Sequence, residues 1–207
     1  MNIQNTLVTH EAILNQYYNK GGFNHVDRIG PMMRMIKEVK PATMRDWKDW
    51  YLANILSPHA LEQLASDFTN SIPKKYQITP EEAYAYICDV MFKRTFSGYN
   101  KEKIALHILR NIVNPNIQEA SENWDIFYFI DFYFYTPNGQ LIGIQLKPVS
   151  FSSGHYENYT NIDSRMQFFC NLYHAKAFIL YYRQGCDFQN ANQFFANPEI
   201  LQRIKQI

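Results

Sequence analysis

The sequence predicts an α/β (α+β) fold, with a central mixed sheet of about four to five strands behind a mostly helical N-terminal extension. Three observations predict it. The run FYFIDFYFY has apolar residues at both odd and even positions, and two apolar runs flank a Pro-Asn-Gly turn. Apolar residues with helical spacing lie before and after these runs. Because both parities are apolar, the first run should be a strand covered on both faces.

The N-terminal region, residues 1 to about 95, is predicted to be mostly helical. Its clearest signal is Thr79-Pro80-Glu81-Glu82, where Thr79 fits the N-cap, Pro80 the first helical position and Glu82 the capping box. This helix is expected to run to about Lys93. It should support a second region, residues 96–207.

The second region begins with a helix for which Asn100 is the predicted N-cap, and Asn114-Pro115-Asn116 ends it. The strands predicted after it are a short one near Ile117 to Ala120 and two hairpin strands, Ile126 to Tyr135 and Gln140 to Lys147. A further helix follows, with apolar positions Ile162, Met166, Phe169, Cys170 and Tyr173. Ala177 to Tyr182 has the composition of a buried strand.

The hairpin turn decides which side chains share a face. If Pro137-Asn138-Gly139 forms a three-residue loop, with Gly139 in the left-handed position, Thr136 pairs with Gln140. Asp131 then faces Gln145, and Lys147 lies on the same side. A two-residue Asn-Gly loop would instead turn Asp131 to the opposite face. We favour the longer loop, because Pro fits its first corner and Gly accepts the left-handed one.

These three side chains, a carboxylate, an amide and an amine, suit metal-dependent phosphodiester hydrolysis. Carboxylate and amide oxygens are hard ligands suited to Mg²⁺, and a neighbouring lysine can position or deprotonate water. A carboxylate inside an apolar run also needs a partner, since burying it alone is costly. The alternative is a structural hairpin whose Lys147 extends to water.

The pattern Asp131 … Gln145-Leu146-Lys147 resembles the PD-(D/E)XK nuclease superfamily, in its variant with Gln-x-Lys on the second strand. Ile130 stands where the family name has proline. The resemblance implies an αβββαβ core, which fits the elements from about Tyr99 to Arg183. It also implies Mg²⁺ as cofactor, with Asp131 and Gln145 as ligands and Lys147 as a catalytic residue.

An acid from the first helix often completes such a site, and Glu102 is assigned as a second metal ligand or as a group that orients water. It can equally be a solvated acid of the first turn. Glu122 and Asp125 are rival acids, although Asp125 would need another hairpin register. A flexible polar loop that could lie in a DNA groove contains the candidate contacts Ser150, Ser152, Ser153 and His155. Arg165 and Gln167, on the following helix, could contact the DNA backbone or be ordinary exposed helix residues.

Within the superfamily, IGIQLKPVSF and the stretch from Asn24 to Leu52, with Trp47, Trp50 and Tyr51, are similar to MjaI-type type II restriction endonucleases. That resemblance implies cutting of duplex DNA at a short palindrome, suggested to be CTAG, by a homodimer with a cognate DNA methyltransferase. Residues 1–95 would then serve DNA recognition, dimerisation and core support. The alternatives are a non-catalytic nucleic-acid-binding module and a repair or junction nuclease.

Composition narrows the function classes. The 20 Lys and Arg against 19 Asp and Glu argue against non-specific coating of DNA, although a local basic patch would suffice for a specific nuclease. An odd number of cysteines, three, argues against a disulfide framework. No basic leader and no apolar run of about 18 residues is present, so a cytoplasmic protein without a membrane partner is expected.

Overall fold

The computed structural model describes residues 3–153, 159–183 and 191–207. The chain divides into two compact units, Met1–Tyr99 and Asn100–Ile207. No helix in the described ranges is both long and apolar enough to cross a membrane.

The first unit is helical. Its α-helices are α1 (Ile3–Lys20), α2 (Val26–Ile29), α3 (Met32–Val39), α4 (Met44–Asn54), α5 (Pro58–Ser71) and α6 (Pro80–Cys88). A short 3₁₀ helix, Lys74–Tyr76, precedes α6, and a π-helix, Asp89–Arg94, follows it. The buried Trp47 indole N–H donates to the Met91 carbonyl of the π-helix at 3.1 Å.

The helix start predicted at Thr79 is confirmed. The Thr79 hydroxyl accepts from the Glu82 backbone N–H at 3.2 Å, and the Glu82 carboxylate accepts from the Thr79 backbone N–H at 2.8 Å. The α-helical part ends at Cys88, earlier than the predicted Lys93, because the chain continues there as the π-helix.

The second unit holds the sheet. Its elements are α7 (Thr95–Ile112, which starts in the first unit), β1 (Gln118–Glu119), α8 (Glu122–Tyr128), β2 (Phe132–Tyr135), β3 (Leu141–Pro148), a 3₁₀ helix (Val149–Ser153), α9 (Tyr159–Tyr173), β4 (Lys176–Tyr182), α10 (Ala191–Phe194) and α11 (Pro198–Lys205). Apart from α8 and the two C-terminal helices, the order is α-β-β-β-α-β. The predicted α/β class with a helical N-terminal part is confirmed.

The four strands lie in the order β1-β2-β3-β4, with antiparallel pairs except for the parallel pair β3 and β4. Successive side chains along each strand point to opposite faces of the sheet, so alternate residues belong to two different hydrophobic cores. Phe132 and Ile144 pack on the face covered by α7 and α11. Leu141 and Ile179 pack on the face covered by α8 and α9. The sheet is therefore covered on both sides.

The hairpin has the three-residue loop. The Thr136 N–H donates to the Gln140 carbonyl at 2.9 Å, and Gly139 has a φ of +82°. Phe132 pairs with Ile144 in the same register, which sets Asp131 opposite Gln145. The predicted register is confirmed, and the two-residue loop is wrong.

Two predicted elements are wrong. The strand predicted from Ile126 is helix α8 as far as Tyr128, because the Ser121 hydroxyl caps it by accepting from the Trp124 N–H at 3.3 Å. The acidic residues of its first turn also stabilise the helix, because their negative charge lies at the positive end of the helix dipole. Asn100 is no N-cap, because α7 begins at Thr95 and runs straight on from the π-helix.

Candidate active site

Asp131 lies between α8 and β2, where its backbone is held by both neighbouring strands. The Ala120 N–H donates to the Asp131 carbonyl at 2.8 Å, and the Asp131 N–H donates to the Ile144 carbonyl at 2.9 Å. The residue is only 7% exposed. Its side chain therefore has a direction fixed by the sheet.

The Asp131 carboxylate takes part in the sheet itself. Its Oδ2 accepts from the backbone N–H of Leu146 at 2.6 Å and from the side-chain amide Nε2 of Gln145. A side-chain oxygen of Asp131, the residue before β2, thus satisfies the backbone N–H of Leu146 on β3. Asp131 and Gln145 are in direct contact, as the predicted register requires.

Gln145 presents one unsatisfied atom. Its side chain is almost fully buried, and its Oε1 has no hydrogen-bond partner among the described residues. Leaving a buried acceptor unpaired costs about 1–3 kcal/mol, so such atoms in native proteins usually have a water, an ion or a functional role. An amide oxygen beside a carboxylate is a suitable donor set for a hard cation.

The electrostatic environment of Asp131 favours a cation as well. Burial is the largest cause that raises the pKa of its carboxyl group to about 7, and the charges of Glu102 and Asp125 act in the same direction. The Lys147 amine and the Leu146 N–H act in the opposite direction. The site therefore concentrates negative charge at a place where water cannot stabilise it.

Lys147 is half-buried and lies two residues after Gln145 on β3, so both side chains leave the same face of the sheet. Its Nζ is 5.7 Å from the ring centre of Phe129 and 5.9 Å from that of Phe151. Asp131, Gln145 and Lys147 are therefore brought together.

The predicted role of Glu102 rests on proximity alone. Glu102 lies on α7, which packs on the other face of the sheet, and its charge acts on Asp131 and on the phenol of Tyr182. No group of three or more His, Cys, Asp or Glu side chains in the described ranges is arranged to hold a metal. Asp131 and Gln145, which both carry side-chain oxygens, are in direct contact.

The model of the MjaI restriction endonuclease family matches residues 11–191, which is most of the chain. The chain belongs to the MjaI restriction endonuclease family. It is thus a type II restriction endonuclease, and DNA is its substrate. No curated protein and no solved structure matches the sequence.

The residues predicted to contact DNA in this restriction endonuclease lie on two elements. Ser150 is exposed on the 3₁₀ helix after β3, which also holds Ser152 and Ser153, whose side chains the structure does not describe. His155 lies outside the described residues. Gln167 is exposed on α9.

Arg165, also on α9, is better defined. Its Nε donates to the Asn161 side chain at 2.9 Å, and its Nη1 donates to the Ile126 carbonyl at 3.2 Å. Its guanidinium carbon is 5.1 Å from the ring centre of Phe129. Arg165 and Lys147 thus approach the same aromatic ring.

The sequence indicates Asp125 only as a rival acid, and it assigns Phe129 and Tyr182 no role in this restriction endonuclease. Asp125 acts on Asp131 from α8, a helix where a strand was expected. Phe129 ends that helix. The phenol of Tyr182, on β4, has a raised pKa because of burial and the charges of Glu102 and Asp131. The Ser121 cap with its acidic first turn was a signal for α8, whereas nothing local indicated Tyr182.

Proposed function

We propose that this restriction endonuclease hydrolyses phosphodiester bonds of duplex DNA at a short specific sequence, with Mg²⁺ bound by Asp131 and Gln145. The observation that carries the proposal is the buried contact between these two residues, with the Gln145 Oε1 left unpartnered and Lys147 on the same face. In PD-(D/E)XK nucleases, to which we assign the chain, an acid, an acid or amide and a lysine have this arrangement.

The donor set fits Mg²⁺. One carboxylate, one amide oxygen and the negative field of Glu102 and Asp125 favour a small divalent cation that keeps part of its water shell. When bound, Mg²⁺ offsets negative charge on the phosphate oxygens and favours deprotonation of the attacking water. Glu102 is proposed as a further ligand or as an acceptor that orients this water.

Lys147 and Asp131 have different proposed roles in the reaction. Lys147 Nζ donates hydrogen bonds to the attacking water or to a phosphate oxygen, and its charge offsets the negative charge that develops during hydrolysis. Asp131 holds its carboxylate in place through the Leu146 N–H. Hydrogen bonds that hold the water, the phosphate and the carboxylate in place lower the activation barrier for hydrolysis more than binding of the DNA alone.

We further propose a homodimer, because the described residues contain one such centre and a duplex has two strands. α8 and α9 together present an α8–α9 patch, which we define as the exposed side chains of Ile126, Phe127, Phe168 and Leu172, each more than half exposed. An exposed apolar patch on a catalytic unit commonly marks an interface. A two-fold pair of copies would cover this patch and present one centre to each strand.

Such an enzyme also endangers the DNA of its own cell. A cognate methyltransferase that protects the same site is therefore proposed as its partner, with both acting in the cytoplasm. The resemblance to MjaI-type enzymes makes CTAG the first recognition sequence to test.

The test is digestion of plasmid DNA followed by sequencing of the ends. Discrete Mg²⁺-dependent fragments with a common end sequence are expected, and EDTA should prevent them. Lys147→Ala should abolish cutting while DNA binding, measured by gel shift without Mg²⁺, stays nearly intact. Lys176→Ala, at an exposed lysine on β4, is the matched control and should cut normally. Full-rate cutting by Lys147→Ala would remove the catalytic assignment.

The competing functions make different predictions. A base-stacking module requires exposed rings on a sheet face, but Tyr133 is half-buried with its ring 5.1 Å from that of Trp124. Phe127 is exposed, yet it lies on α8 and not on the sheet. A repair or junction nuclease would leave a smear or cut only branched substrates in the plasmid assay.

A further inference from the structure

We propose that Phe129 is a positioning residue that holds the Lys147 amine and the Arg165 guanidinium beside the cleavage centre. The proposal rests on the proposed catalytic role of Lys147. It adds Phe129 to the site and gives a physical reason why the Lys147 side chain is ordered before DNA binds.

The backbone of Phe129 is the first observation. Phe129 ends α8 with a φ of +55°, in the left-handed region, and its N–H donates to the Asp125 carbonyl at 3.1 Å. The next N–H, of Ile130, donates to the Trp124 carbonyl at 3.1 Å. Glycine or asparagine usually occupies such a helix end, and a larger side chain there costs about 1 kcal/mol or more. Contacts made by the Phe129 ring can offset this cost.

The ring supplies contacts to two cations from different elements. Lys147 Nζ, from β3, is 5.7 Å from the ring centre, and the Arg165 guanidinium carbon, from α9, is 5.1 Å from it. Both distances are within the range of about 6 Å in which cation–π attraction is significant. Phe129 also lies two residues before Asp131 in the chain, so only Ile130 separates the two backbones.

The Lys147 amine lies near enough to Asp131 to lower the pKa of its carboxyl group, but neither Lys147 nor Arg165 forms a salt bridge with a described residue. Two like charges that approach one ring repel each other, and an anion placed between them relieves that repulsion. A DNA phosphate is such an anion, and two fixed cations would bind it in one orientation.

Restricting Lys147 is the main consequence. A lysine side chain has about 1.5–2 kcal/mol of rotamer entropy to lose when it is ordered. The rings of Phe129 and Phe151 limit its conformations before DNA arrives. An amine already in place acts on the rate of cutting more than on the affinity for DNA, because small misplacements of a reacting group cost up to about 100-fold.

Packing alone would explain the same ring differently, since Phe129 also borders the core shared with α9. Phe129→Leu and Phe129→Tyr separate the two explanations. Leucine keeps apolar bulk but has no π face, whereas tyrosine keeps the π face.

The experiment measures single-turnover cutting of plasmid DNA at saturating enzyme, DNA affinity without Mg²⁺, and the melting temperature. Phe129→Leu should cut about 10–100-fold more slowly with at most a small loss of affinity, and Phe129→Tyr should stay within about threefold of the natural rate. Phe169→Leu, at a fully buried ring of the same core, is the matched control. It should lower the melting temperature but leave the rate unchanged below it.

A signal independent of cutting is the NMR shift of the Lys147 ε-methylene protons. The aromatic ring should move them upfield in the natural protein and in Phe129→Tyr, and Phe129→Leu should reduce that shift. An unshifted natural resonance, or equal losses of rate in the leucine and tyrosine variants, would overturn the proposal. Because the Phe151 ring lies at a similar distance, Phe151→Leu is measured as well, and a shift caused by Phe129 should remain in it. Loss of the whole shift in Phe151→Leu would overturn the proposal even if Phe129→Leu does not fold.

Lys147→Ala distinguishes failure here from failure of the proposed function. If Lys147→Ala cuts normally, the catalytic role of Lys147 is wrong. If Lys147→Ala is inactive and Phe129→Leu cuts at the natural rate, only the role of Phe129 is wrong.

Discussion

The backbone N–H of Leu146 donates a 2.6 Å hydrogen bond to the Asp131 carboxylate. The same carboxylate is thus part of the sheet and the proposed metal ligand of the site. Burial nevertheless raises its pKa to about 7, so without a cation its charged form is disfavoured near neutral pH. The metal-free protein should therefore be more stable when Asp131 is protonated, whereas metal binding requires its charged form.

Asp131→Asn should change how stability depends on pH. The folded pKa of about 7 lies above the unfolded value of about 3.9, so the carboxyl group is best accommodated when protonated. Its favourable contribution to the free energy of unfolding is complete below about pH 4 and is lost as the pH rises to about 7. The variant lacks this loss, so it should gain stability relative to the natural protein at pH 8, although it cannot cut DNA.

The measurement is thermal unfolding of both proteins in EDTA at pH 5.5 and pH 8. The difference between the two proteins at each pH isolates Asp131 from the other titrating groups. An unchanged difference between the two pH values would contradict the assignment.

Gln145→Glu should make the metal-free protein less stable and its metal binding tighter. The substitution replaces the amide that donates to Asp131 with a second carboxylate, so two acids share a buried site and repel. We expect a loss of about 1–3 kcal/mol in the free energy of unfolding at pH 8 in EDTA. Mg²⁺ should reverse much of it, because the cation now has two charged ligands.

Titration with Mg²⁺, followed by melting temperature, checks this prediction. Gln145→Leu is the control, because it removes both the donor and the amide oxygen, and Mg²⁺ should then stabilise the protein little. Equal responses of the glutamate and leucine variants would exclude Gln145 as a ligand.

The hairpin register could be predicted from sequence because it depends on local turn chemistry. Pro137 and Gly139 fix the loop length, and the alternation of the strands then brings Asp131, Gln145 and Lys147 to one face. No contact distant in sequence is needed for that inference. The αβββαβ order followed from the same patterns of helix and strand.

Helix α8 was missed because its aromatic residues favour strands when read alone, although the Ser121 cap was a local signal for a helix. The cap at Ser121 and the packing of Trp124 against the Phe169 ring of α9 outweigh that preference. The contact of Arg165 with Phe129 has the same origin. It depends on how α9 packs on α8, which no local pattern encodes.

Gly139→Ala should destabilise the protein without affecting the chemistry. Gly139 has a φ of +82°, and an added Cβ would have no atom within 4 Å, so the cost is conformational only. About 1–2 kcal/mol should be lost, and Gly139→Asn should lose less because asparagine tolerates this region. Gly98→Ala, on α7 with ordinary φ and equally open space, is the matched control and should be neutral or stabilising. Chemical unfolding measures each change, and a loss for Gly98→Ala as large as for Gly139→Ala would contradict the argument.

The α8–α9 patch should be required for dimerisation and hence for cutting both strands. Phe168 and Leu172 lie one turn apart on α9 and are each more than half exposed, so replacing both by serine removes apolar surface with little effect on the core. Sedimentation velocity should show a dimer for the natural protein and a monomer for the double variant. Supercoiled plasmid should then be nicked and not linearised, because each monomer carries one centre. Serine at Val26 and Ile55, exposed apolar residues of the first unit, is the matched control and should leave the dimer intact. A double variant at Phe168 and Leu172 that remains dimeric would place the interface elsewhere on the molecule.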